Sequence, residues 1–116
     1  MKVNNLQKAG IDYASGVERF GGMALLYEKY VVKFLSDETF HRLEVAMEKE
    51  DYNKAFEEAH TLKGETGNLS FVILYENICD LVEALRNQRD ISLAKKTFIE
   101  VRDSYNILVK TIKEEF

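Results

Sequence analysis

The chain has 116 residues, 46% of them hydrophobic and 31% charged, with a single cysteine and no proline. That is one domain's worth of core, and the absence of proline favours uninterrupted helices over sheet or disorder. A net charge of −4 and a pI near 5.2 exclude a nucleic-acid binder in need of a basic face.

No apolar run approaches the roughly 18 residues of a membrane span, and no signal-peptide pattern opens the chain. Lone Cys79 cannot form an internal disulfide, which suits a reducing compartment. These features predict a cytoplasmic protein without membrane insertion, and the initiating Met leans toward a free-standing one.

Residues 1–22 hold Gly10, Gly16, Gly21 and Gly22 and are the least regular part. A short helix is expected from about Asp12, as cap, to Phe20, with Val17 and Phe20 against the body and Gly21-Gly22 as a turn. From Met23 to Leu35, Met23, Leu26, Tyr27, Tyr30, Val31, Phe34 and Leu35 keep the helical spacing and predict an amphipathic helix. Ser36-Asp37 would cap the next, whose stripe of Phe40, Leu43, Ala46 and Met47 runs to about Lys49. His41 lies off that stripe beside Arg42 and reads as a solvated surface residue.

Asp51 caps a further helix, and its centre is His60. With about 100° per residue, Ala55, Ala59, Leu62, Thr66 and Leu69 gather on one side as a buried stripe, and His60 points away from it. Phe56, Glu57, Lys63, Gly64 and Gly67 share the histidine's side. Each glycine costs the helix about 1 kcal/mol relative to alanine, so both need a reason. Gly67-Asn68 could simply end the helix. Gly64, at i+4 from His60, instead removes the side chain that would stand beside the imidazole and lets a partner or a phosphoryl group approach.

After a turn at Asn68–Ser70, Phe71, Leu74, Ile78, Leu81, Val82 and Leu85 form one face of a helix reaching about Asn87, with Cys79 as a packing residue off its centre. Asp90 caps the last helix, where Ala94, Phe98, Val101, Tyr105, Leu108 and Ile112 alternate steps of four and three. Such a seam could serve a coiled-coil dimer, but the other helices need cover and packing within a monomer is the expected use. The architecture is all-α: an antiparallel four-helix bundle with a short additional N-terminal helix, one domain over residues 1–116, and no strand.

Ala59-His60-Thr61-Leu62-Lys63-Gly64, followed by Gly67, Asn68 and Leu69, resembles the signature of histidine-containing phosphotransfer (HPt) domains. The likeness extends to Glu18-Arg19-Phe20-Gly21-Gly22 and to residues 74–83, closely over residues 50–87 and loosely over 10–115. Ser70 departs from it, standing where the family often has glycine, and could cap the next helix instead. The resemblance implies a phosphorelay protein that accepts a phosphoryl group on His60 from a receiver domain's aspartyl phosphate and passes it to another receiver. It also implies response-regulator receivers and a sensor histidine kinase as partners, with Mg²⁺ on the receiver rather than on this chain, and no cofactor of its own.

The residues themselves support a carrier without autonomous kinase activity. No glycine-rich phosphate loop follows a strand, no second histidine stands at metal-ligand spacing from His60, and no nucleophile–base–acid set can be assembled. An exposed, uncharged imidazole has a free nitrogen able to attack phosphorus. Lys63 would face the phosphoryl group; Phe56 and the glycines would offer a flat landing area, and Glu57 and Lys63 would set orientation. The alternative keeps the fold but not the transfer: a helical module that docks or sequesters a receiver or kinase.

Overall fold

The computed structural model describes residues 2–116 and contains seven α-helices. They are α1 (Val3–Lys8), α2 (Tyr13–Arg19), α3 (Ala24–Lys33), α4 (Thr39–Glu48), α5 (Tyr52–Asn68), α6 (Val72–Leu85) and α7 (Ile91–Glu115). Helices α4 to α7 form the four-helix bundle: α4 packs on α5, α5 on α6, and α6 on α7. Phe40 of α4 closes the ring by stacking on Tyr105 of α7, with centroids 3.9 Å apart and planes within 11°.

The expected caps are present at three starts. Asp12, Asp51 and Asp90 accept hydrogen bonds from the amides of Ser15, Lys54 and Leu93, filling donors that a helix N-terminus leaves open. Asp37 reaches the amide of Thr39 at 2.8 Å, one residue outside the cap position of α4. The stripes predicted for α5, α6 and α7 are buried, apart from half-buried Tyr105.

The N-terminal part departs from expectation. Helix α1 was not anticipated, since its sequence buries only Leu6; it is held to the end of α7 by Glu115, which accepts from the Lys2 amide and the Asn5 side chain. The extension to the bundle is therefore three helices: α2 and α3, where helices were expected over residues 12–35, and α1 in addition. On α3 the periodic stripe is buried at Tyr27 and Val31, but Met23 and Tyr30 are exposed, because the helix is covered on one flank only. Helix α6 ends at Leu85, short of Asn87, and a 3-10 turn over Arg86–Gln88 follows with Asn87 at φ 53°.

The turn between α5 and α6 corrects two expectations. Gly67 is not the cap: α5 runs on to Asn68, and the left-handed residue is Ser70 at φ 56°. The Ser70 amide donates to Gly67 O and the Phe71 amide to Thr66 O, the paired bonds of a Schellman ending. Nor does Ser70 cap α6, whose N-cap is Phe71 with no side-chain bond. The Ser70 hydroxyl donates instead to Ser15 Oγ at 3.1 Å, and its carbonyl accepts from the Asp12 amide. With an isolated antiparallel bridge between Ile11 and Phe71, these bonds fasten the start of α2 to the end of α5.

Candidate functional site

Helix α5 presents the site because its two faces differ in what they bury. Ala55, Ala59, Leu62 and Thr66 are fully enclosed, and His60, next to Ala59, is exposed. One side of the imidazole carries Phe56, its ring parallel to the histidine within 5° and its centroid 6.1 Å away. The guanidinium of Arg86, just past α6, lies 5.2 Å from the Phe56 centroid, so a cation–π contact holds the ring that flanks the histidine.

His60 also borders an open basin of about 440 Å³, shared with Lys63, Gly64 and Gly67 of α5. Asn68, Arg19 of α2 and Tyr75 of α6 complete its wall. The two glycines serve it differently. A β-carbon on Gly64 would meet nothing within 4 Å, so this glycine leaves open surface beside the histidine. A β-carbon on Gly67 would come within 3.1 Å of Tyr75 Cε1, so that glycine makes room for the tyrosine ring. The structure thus gathers His60, Lys63, Gly64 and Gly67 in one place, with Phe56 across the imidazole. Glu57 is exposed on the same helix but does not line the basin.

Arg19 and Tyr75 fall in the segments that carry the wider likeness, and their place in the site follows only from the fold. Arg19 reaches the basin because α2 and α3 are bolted to the end of α5. Gly16 lets the Tyr27 ring pass where a β-carbon would stand only 2.2 Å from Cζ, and the Tyr27 hydroxyl donates to Leu69 O at 2.7 Å. Burial, with the negative charge of Asp12 and the nearby phenol of Tyr13, pushes the Tyr27 phenol well above its ordinary range, so it remains a donor. At Tyr75 the hydrogen bond with Cys79 raises the phenol, and the charge of Arg19 pulls the other way.

Another flank of the same helix holds different chemistry. Glu58 is buried and pairs with Arg42 Nε at 2.9 Å, with Lys54 Nζ at 3.8 Å. Farther along, Glu65 meets Asp37 beside a hollow lined by Phe20, Tyr30, Asn68 and Leu69. Burial first, then the hydrogen bond and charge of Asp37, push Glu65 up to about 8. Burial alone would raise Asp37 as well, but its hydrogen bonds with Glu65 and Thr39 hold it below its ordinary value. Glu65 Oε1 is buried without a conventional donor, and a proton kept on Glu65 and shared with Asp37 makes that position tolerable.

His41 is exposed on α4, remote from the basin lining. Among the described residues, no group of three or more His, Cys, Asp or Glu side chains is placed to hold a metal ion, and no helix is long and apolar enough to cross a membrane.

The family model described as the Hpt domain matches residues 33–107, more than half of the chain and all of α4, α5 and α6. No curated protein and no solved structure gives a match.

Proposed function

Because the chain belongs to the Hpt domain family, whose members carry phosphoryl groups on histidine in phosphorelays, we propose that His60 is the phosphoacceptor. The observation that carries this reading is the pairing of an exposed imidazole with open surface at Gly64 and an unobstructed lysine one turn on. His41, the other histidine, borders a hollow that holds Asp51 along with Arg42, Lys49 and Lys54, and no glycine clears the surface beside it.

In the reaction, a ring nitrogen of His60 attacks the phosphorus of a receiver's aspartyl phosphate. The N–P bond forms as the acyl O–P bond breaks, its electron pair returns to the aspartate carboxylate, and the ring's other nitrogen releases its proton. The reverse sequence passes the group to another receiver. Such transfers run through a loose, in-line transition state, so they demand positioning and charge neutralisation. This chain supplies a fixed imidazole backed by Phe56 and a cation at Lys63, and the partner receiver supplies Mg²⁺. Receiver domains and a sensor histidine kinase are the partners, the working unit is a monomer in the cytoplasm, and the chain has no kinase activity of its own.

Incubation with a phosphorylated receiver tests this directly. The chain takes up one phosphoryl group that survives base and is lost in mild acid, as a phosphoramidate is; ATP alone labels nothing. His60→Gln abolishes the label with a stability change within about 0.5 kcal/mol, as for an exposed side chain. His41→Gln changes neither, and Lys63→Ala slows uptake without preventing it. Label retained in His60→Gln, or a wild-type chain that binds receivers and never takes label, would leave a docking or sequestering module instead.

A further inference from the structure

We propose that Arg19 is a second phosphoryl-binding cation of the basin and that, alongside Lys63, it sets how long the phosphohistidine lasts. The inference rests on the reading of His60 as phosphoacceptor and adds a residue from a different helix to it.

Three observations converge. The basin holds two cations, Arg19 and Lys63, and no carboxylate lines it, so its walls suit an anion. Among the described residues neither cation is engaged in an ion pair, although Arg42, Lys54, Arg86 and Arg89 all are. The placement of Arg19 is also structurally enforced: α2 is tied to the end of α5 through the Asp12–Ser70 and Ser15–Ser70 bonds. Since Phe56 flanks the imidazole elsewhere, a phosphoryl group on His60 has its open space in the basin, where a guanidinium can offer two donors to phosphoryl oxygens.

The consequence is kinetic. In spontaneous loss, the oxygen of water bonds to phosphorus while the N–P bond breaks; the electron pair goes to the imidazole, which takes up a proton, and orthophosphate leaves. The ring leaves most readily once it is protonated, which is why a phosphoramidate is lost in mild acid, and a guanidinium held beside the phosphohistidine disfavours that protonation and so slows the loss.

The test loads the full chain with phosphoramidate, a small chemical donor that needs no receiver, removes the donor, and follows the decay of phospho-His60 with its ³¹P signal. Arg19→Gln shortens the lifetime roughly three- to fivefold, a surface-charge effect, and raises the pH at which the phosphoryl signal titrates. Arg19→Lys restores most of both, and thermal melting is the same in all three proteins. An unchanged lifetime and titration in Arg19→Gln overturns the inference and leaves the role of His60 standing, even if receiver affinity falls. A wild-type chain that takes a phosphoryl group neither from phosphoramidate nor from any receiver overturns the His60 reading, and this inference with it.

Discussion

The two flanks of α5 carry opposite kinds of ionisable chemistry. Around His60 the imidazole is exposed, the two cations lining the basin stand outside any ion pair among the described residues, and Gly64 leaves open surface. On the flank toward α3 and α4 the charges are matched, with buried Glu58 held by Arg42 and half-buried Glu65 set against Asp37, which with burial raises it. Groups that must react with a partner gain nothing from being satisfied inside the molecule, whereas groups taken out of water must be paired or neutralised. One helix therefore separates a face that holds the fold from a face that is free to work, and substitutions on the two should divide stability from transfer.

The largest stability effect is expected from Ala59→Leu, one residue from the histidine but on the enclosed face. Ala59 is completely buried, and adding three carbons to a packed bundle costs about 1–3 kcal/mol. Urea unfolding should show that loss, while the folded fraction still takes up phosphoryl groups at an unchanged rate. Equal stability in the variant would mean that the bundle is slack at this level and the contrast between the faces is overstated.

Glu65→Gln comes next and is read through pH. The unfolded chain releases the Glu65 proton near the ordinary 4.5, whereas the folded chain keeps it to about 8. Between those values the unfolded state binds fewer protons, so stability is full below the lower one and falls as pH rises through the window. Asp37, held below its ordinary 3.8, slopes the other way only in more acidic solution. Because Glu65 is only half-buried, solvent screening reduces the effect to about 1–2 kcal/mol. Unfolding free energies at pH 5 and pH 8 should differ for the wild type and converge for Glu65→Gln, with transfer unaffected; parallel slopes would rule out the shared proton.

The same division explains what could be read from the residues alone. The buried stripes of α5 to α7 and the outward direction of His60 follow from helical period, which depends only on local geometry. Gly21 marks the end of α2 because left-handed backbone favours glycine, but Glu50 and Ser70 end α4 and α5 in the same conformation with side chains that give no warning. Arg19 reaches the basin only after α2 folds back onto the α5–α6 turn, and Tyr75 only once α6 packs against α5. Likewise the Asp37–Glu65 pair joins segments distant in sequence: Asp37 reads as a helix cap, and nothing in α5 marks Glu65 as its partner. Beyond those two local helix ends, what escaped is tertiary: which elements lie against which.

Gly64→Leu has the smallest expected effect on stability and the sharpest bearing on the contrast, since stability and transfer should move in opposite directions. Leucine is the better helix former by up to about 1 kcal/mol, and a β-carbon at this position meets nothing within 4 Å. The added side chain stands one turn beyond His60, over the surface a receiver must approach. A rise in melting temperature together with weaker receiver binding and slower labelling of His60 is the expected result. Phosphoramidate supplies the internal check: a donor that small still reaches the imidazole, so chemical labelling should fall less than transfer from a receiver. If both donors slow equally, the leucine has disturbed the imidazole itself; if neither slows, the bare surface at Gly64 is not where the partner lands.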